Sequence, residues 1–220
     1  MAANRAQIEH LVRRLVYERL GRPLPRIAAA PNPLVVNVSA RHCHLSQEAV
    51  RALFGEGRQL TPMRALYQTG HFAAEETVTL IGPRSRVISN LRILGPCRPE
   101  CQVELAYTDA VSLGFDLPAR VSGNIEGTPG CMLMGPNGFF ELRQGVIRAL
   151  RHVHMNEDDA AFYGVQHLGE LNLRVGGDCP LVLERVAVRV HRDFKLEVHI
   201  DTDEGNACNV RPEPPVELFR

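Results

Sequence analysis

The sequence predicts a mainly β fold, built as small compact β-barrels with short helices, preceded by an N-terminal amphipathic helix. Three observations carry that prediction. After residue 33 the chain is a succession of short runs of β-formers punctuated by glycine and proline. Helical stretches are few and short, which argues against a βαβ sheet. One motif, Arg-His-x-His followed by an apolar residue, a helix-capping residue and an acidic helix start, occurs at 41–46 and again at 151–156, so one module is present twice.

Taken in order, residues 1–22 place Ile8, Leu11, Val12, Leu15, Val16 and Leu20 at helical spacing with Arg5, Arg13, Arg14 and Arg19 between them. Residues 23–33 carry Pro23, Pro25, Pro31 and Pro33 around the small run Ala28–Ala30 and read as a linker. Such a tethered helix can dock on a protein, lie on an anionic membrane or pack on its own domain; its aliphatic face without Trp or Phe favours protein over membrane. The strands expected next are 34–38, 76–81, 87–94, 103–106, 138–142, 171–175, 181–190 and 196–200. Two helices are expected, over 46–54 and 156–163, each opened by a capping residue (Ser46, Asn156) with acids in its first turn.

Composition bounds the rest. With 45% hydrophobic and 23% charged residues in 220, the chain has the make-up of a folded globular protein. Lys plus Arg and Asp plus Glu both number 25, so no basic excess recruits nucleic acid, and any phosphate must be met locally. No run approaches the ~20 apolar residues of a membrane span, and the expected location is the cytoplasm. The six cysteines are expected as free thiols; Cys97 and Cys101 have a spacing zinc could use but no second pair accompanies them.

The chemistry is concentrated in the histidines. Residues two apart on a strand share a face, so His42 with His44, and His152 with His154, each form a two-imidazole pincer. Polar residues also alternate this way on any solvent-facing strand, but the duplication favours metal. His199, in the alternating segment 197–201, is the natural fifth ligand, and Glu104 the carboxylate candidate. This donor set suits zinc, with cobalt, nickel or iron as looser alternatives, and it leaves open positions on two ions, as a catalytic site requires. His10, His167 and His191 are assigned to surface or hydrogen-bonding roles. Arg98 follows Gly95-Pro96-Cys97 at a strand end, where its planar fork can meet an oxyanion. Neither a phosphate-loop spacing nor a Gly-x-Ser-x-Gly elbow occurs.

Val36–Ser46, Phe72–Val78, Leu94–Arg98, Thr108–Ala110, Ser122-Gly123, Arg151–Met155 and His199–Ala207, in that order, resemble the PduL-type phosphotransacylases over about residues 34–210. The resemblance implies two β-barrels interwoven in sequence, one from 34–40 with 150–211, the other from 41–149 with a lid-like insertion near 55–75. It implies a phosphate acyltransferase exchanging acyl-CoA, typically propanoyl-CoA, and phosphate for acyl phosphate and CoA. By position His42, His44 and Glu104 would hold one zinc near the CoA sulfur, and His152, His154 and His199 a second. Arg98 resembles the family's phosphate-binding arginine, and Ser122 and Asn206 fall in motifs near the CoA site. His71 stands where a glutamine is expected, and Val111 where an aromatic residue is common. The N-terminal segment resembles peptides that direct such enzymes into bacterial microcompartments, with shell or core proteins as partners for residues 1–20, and the family suggests a homo-oligomer.

The mechanism expected is direct attack of phosphate on the thioester, with no protein nucleophile; an acyl-Cys43 is the alternative. Two rivals are a non-catalytic metal-stabilised assembly protein and a metal-dependent thioesterase.

Overall fold

In the computed structural model the described residues are 12, 15–17, 19–21, 31–210 and 214–220. Residues 12, 15–17 and 19 are helical, with Val12, Leu15, Val16 and Leu20 exposed; the rest of the predicted N-terminal helix, most of the linker, and His10 lie outside the described residues.

The chain then runs β1 (Val35–Ser39), β2 (His42–His44), α1 (Gln47–Phe54), β3 (Pro62–Ala65), β4 (Phe72–Ile81), β5 (Val87–Gly95), β6 (Gln102–Glu104), α2 (Tyr107–Leu113), β7 (Ala119–Arg120), β8 (Cys131–Met134), β9 (Phe139–Leu142), β10 (Val146–Ala149), β11 (His152–Met155), α3 (Glu157–Tyr163), β12 (Glu170–Val175), β13 (Leu181–Val190), β14 (Glu197–Asp201), α4 (Thr202–Ala207) and β15 (Val216–Phe219). The fold is mainly β, with two curled half-barrel sheets and few short helices.

One sheet has the order β1-β14-β11-β13-β12-β15; the other runs β7-β10-β6-β2-β5-β4-β8-β9, with β3 added to β4. Each encloses its own apolar core. Leu45, Leu53, Leu80, Ile93 and Leu133 are buried in the larger sheet's core, and Val153, Met155, Leu173, Val188 and Val198 in the smaller sheet's.

The interweaving lies in two crossings. β1 pairs with β14 in the smaller sheet, and after Ser39 the chain passes to β2 in the larger. β10 pairs with β6 in the larger sheet, and after Ala149 the chain passes to β11 in the smaller. Each crossing delivers an Arg-His-x-His segment into a strand that lies between one antiparallel and one parallel neighbour: β2 between β6 and β5, β11 between β14 and β13. The duplicated sequence therefore folds as a duplicated local topology.

The helices start where capping chemistry satisfies their first N–H groups. Ser46 Oγ accepts from the Ala49 N–H at 3.2 Å, and Asn156 and Asp201 open reciprocal capping boxes with Asp159 and Glu204. A Cβ on Gly205 would lie 2.7 Å from Val38, so only glycine lets α4 close onto β1. Ion pairs fasten the crossings: Arg148 Nε to Asp201 at 2.9 Å, Arg151 Nε to Glu204 at 2.8 Å, and Arg41 Nη1 to Asp109 at 2.7 Å. The arginine of each repeated motif thus holds a neighbouring helix.

Candidate metal centre and active-site cleft

The alternation of β2 places His42 and His44 on one face and fully buried Cys43 on the other, in the core. Across the β2–β6 ladder His42 stands opposite Glu104, just as His152 stands opposite His199 across β11–β14. The result is two groups of three donors, His42/His44/Glu104 and His152/His154/His199, each with its ligand atoms within 4.8 Å of one another. The five histidines expected as ligands and Glu104 are all brought together here.

Ring orientation is set by the crossings. His42 Nδ1 donates to the Ala40 carbonyl at 2.8 Å, and His152 Nδ1 donates to the Leu150 carbonyl at 2.8 Å. His44 Nδ1 donates to Leu94 at 3.2 Å. Each bond fixes the proton on Nδ1 and leaves the Nε2 lone pair available as a ligand. His199 Nδ1 meets the Ser39 hydroxyl at 3.4 Å.

Among the described residues neither ring nitrogen of His154 has a hydrogen-bond partner, and nor does His199 Nε2. The Glu197 carboxylate comes within 3.1 Å of His199 Nε2, but at an angle no hydrogen bond satisfies. Buried polar atoms without partners are costly, and a cation at the centre of the triad would satisfy one ring nitrogen of His154 together with His199 Nε2. The N₃ and N₂O donor sets suit zinc or a similar divalent ion, and three ligands leave positions open.

Electrostatics agrees. Burial acts to raise the Glu104 carboxyl, but His42, His44, His152 and Arg98 outweigh it and hold it down at about 2. Burial, reinforced by His199, lowers His152 to about 4. His44 and His154 are lowered well below the usual histidine range by burial and by neighbouring histidines and arginines. Neutral imidazoles beside an ionised carboxylate are what a metal site needs.

Around Glu104 the supporting bonds are short. Its Oε1 accepts from the Gln102 amide at 2.6 Å and from the Ser122 hydroxyl at 3.1 Å, and Gln102 also donates to Ser122 at 2.8 Å. Among the described residues the Arg98 guanidinium donates only to Ser122 Oγ, at 3.4 Å. A Cβ on Gly95 would fall 2.3 Å from the Phe72 ring, so glycine is required where the chain turns to present Arg98. Both triads, Arg98 and Ser122 line one cleft of about 450 Å³ between the two sheets. His71 lines it too, half-buried, whereas Val111 is exposed on α2 and does not. Asn206 is exposed on α4 and lies outside the cleft lining. His167 and His191 are exposed, accepting from the backbone N–H groups of Val190 and Asp193.

Sequence reasoning missed Glu197 and Gln68. Glu197 is 2% exposed and accepts from Asn37 at 3.0 Å and from Gln68 at 2.7 Å; Gln68 also donates to the Lys195 carbonyl. Only pairing between segments more than a hundred positions apart discloses that cross-sheet clamp.

The phosphate propanoyltransferase family model matches residues 35–211, which includes every residue of both triads and the two crossings. The chain belongs to the phosphate propanoyltransferase family. Curated relatives bear the name phosphate propanoyltransferase. The one from Planctopirus limnophila is 51% identical over 99% of this chain and 92% of its own length. That from Thermotoga maritima is 50% identical over 80% and 83%, and that from Salmonella typhimurium 43% over 91% and 90%. As a member of this phosphate propanoyltransferase family the protein is an enzyme, a phosphate acyltransferase. Among the described residues no helix is long and apolar enough to cross a membrane.

Proposed function

We propose that the cleft transfers an acyl group, propanoyl in the first instance, between CoA and orthophosphate at a dizinc site. The observation that carries this reading is two adjoining ligand triads that share a cleft with an arginine; among the described residues one triad has ring nitrogens without a hydrogen-bond partner and the arginine's guanidinium bonds only to a hydroxyl. His42, His44 and Glu104 would hold one zinc and His152, His154 and His199 the other. Such ions, when bound, supply electrostatic stabilisation of the charge that develops on the thioester oxygen and the departing thiolate.

The protein's own groups account for the rest. Arg98 presents its guanidinium fork to phosphate and holds it beside the thioester carbon, where an oxygen–carbon bond forms as the carbon–sulfur bond breaks. Ser122 and Gln102 donate to Glu104 and keep it oriented. Cys43 faces the core with no exposure, which supports direct attack over an acyl-cysteine intermediate. The two sheets act as interwoven domains, 34–40 with 150–211 and 41–149. Residues 55–75 serve as a lid, a reading supported by the bonds of Gln68 to Lys195 and Glu197. Residues 1–22 direct the chain into a microcompartment through shell or core proteins, a reading supported by the exposed apolar side chains of Val12, Leu15, Val16 and Leu20, and the assembled enzyme is a homo-oligomer.

The test is free-thiol release from propanoyl-CoA by zinc-replete protein, with and without orthophosphate. Release that requires phosphate is expected. Release in water alone would make the protein a thioesterase, and no release with any acyl-CoA would leave a metal-stabilised assembly role.

A further inference from the structure

Arg98 is not the only guanidinium that faces the cleft without a carboxylate. Arg189 lies on β13, directly opposite His154 on the parallel neighbour β11, so the two side chains project from the same face of the smaller sheet. Both line the cleft, and Arg189 is half-buried. The other arginines of the cleft wall are spoken for or peripheral: Arg92 donates to the Ala74 and Glu75 carbonyls, Arg41 pairs with Asp109, and Arg64 is exposed. Among the described residues the Arg189 guanidinium has no hydrogen-bond or ion-pair partner.

Burial works against the charge on Arg189, and the one acid that offsets it is Glu104, across the cleft on the larger sheet. The charge on Arg189 in turn bears on Arg98. Two half-buried guanidinium groups, one from each sheet, therefore converge on the space beside the triads. A partly desolvated cation with no partner is unfavourable until an anion arrives.

We propose that Arg189 is a second phosphate-binding residue, gripping from the smaller sheet the same dianion that Arg98 holds from the larger. This rests on the phosphotransacylase reading above. The reacting end of a thioester brings no anion, whereas orthophosphate and the acyl phosphate product bring two negative charges and planar sets of acceptor oxygens that two guanidinium forks match. The pair selects a dianion over water as the nucleophile, because water gains nothing from two converging cations. It also ties phosphate binding to the closeness of the two sheets, since neither supplies both arginines.

The test compares wild type, Arg189→Gln and Arg189→Lys as zinc-replete full-length chains. Initial rates of thiol release are measured against orthophosphate and against propanoyl-CoA, alongside the shift in melting temperature that orthophosphate alone produces. Arg189→Gln is expected to raise the KM for phosphate roughly ten- to a hundredfold, as loss of a charge-assisted contact does, with the KM for propanoyl-CoA changed by no more than about twofold. Its phosphate-induced melting shift should vanish, and Arg189→Lys, which keeps the charge but not the fork, should fall between. An unchanged phosphate KM and melting shift would overturn the proposal, and so would a rise confined to the KM for propanoyl-CoA. Wild-type thiol release that ignores phosphate would instead refute the phosphotransacylase reading; the melting shifts of wild type and Arg189→Gln still decide whether Arg189 binds the anion. Should Arg189→Gln not fold, Arg189→Lys carries the comparison.

Discussion

The two copies of the Arg-His-x-His module share topology but not chemistry. In the β2 copy each imidazole donates Nδ1 to a carbonyl, and the third donor is a carboxylate held by Gln102 and Ser122. In the β11 copy the third donor is His199, and among the described residues the His154 ring makes no hydrogen bond and stacks on Phe194 at 4.3 Å between centroids. Protein hydrogen bonds orient every donor of the first triad, whereas in the second they hold His152 and His199 and leave the His154 ring without one. Duplication preserved the crossing and the pincer, while the partner strand set the charge.

The largest effects should come from removing one ligand from each copy. His42→Ala and His154→Ala should both lower phosphate-dependent thiol release by on the order of a hundredfold or more, with loss of about one zinc per chain by elemental analysis. The metal-free proteins should then part company. His42→Ala forfeits the Ala40 bond and leaves Glu104 short of a neighbour, costing about 1 to 3 kcal/mol in chemical denaturation. His154→Ala removes two unsatisfied ring nitrogens and should cost the metal-free chain less. Equal losses in the metal-free state would break the contrast between the copies.

Acid should separate them next. A histidine whose folded value lies below its unfolded one contributes stability that is complete above the unfolded value and is lost as the pH falls toward the folded one. For His152 that window runs from 6.5 to about 4 in the metal-free protein. His44 and His154 are shifted in the same direction and add to the loss. Glu104 contributes in a different window: its stabilisation is present above 4.5 and disappears toward about 2. Denaturation of metal-free protein at a series of pH values should show the upper loss first, and His154→Ala should flatten that part of the curve. An upper window unaltered by that substitution would place the titration elsewhere.

The ease with which the site could be read from sequence follows the same division. The histidine pairs were legible because a repeat at period two announces a shared strand face, and α1 and α3 because Ser46 and Asn156 are capping residues. Most expected strands match within one or two residues; β4 begins earlier than expected, at Phe72, and expected strand 103–106 is instead Gln102–Glu104. Helix α2 was not foreseen because Ala106, at its start, offers no side-chain cap. Helix α4 was hidden by a glycine inside a six-residue helix, kept there for contact with Val38. β3, β7, β8, β10 and β15 were missed: short runs such as Pro62–Ala65, exposed throughout, carry no alternation to read. Glu197, Gln68 and Arg189 look like solvent-facing polar residues in isolation, and only the approach of the two sheets gives them a common cleft.

The smallest effect should come from the residue between the ligands, where the copies agree. Cys43 and Val153 are both fully buried and point away from the cleft into their respective cores. Cys43→Ala removes one buried sulfur from a packed site and should cost about 1 kcal/mol of stability while leaving phosphate-dependent turnover within about twofold. Val153→Ala should behave alike in the other sheet. A fall of orders of magnitude for Cys43→Ala alone, without loss of metal, would mean that the thiol reaches the thioester after all, and the two copies would then differ in their nucleophile as well as in their third ligand. Parallel small losses would instead confine the functional divergence of the repeat to the face that looks into the cleft, with the opposite face kept apolar by the same packing demand in both sheets.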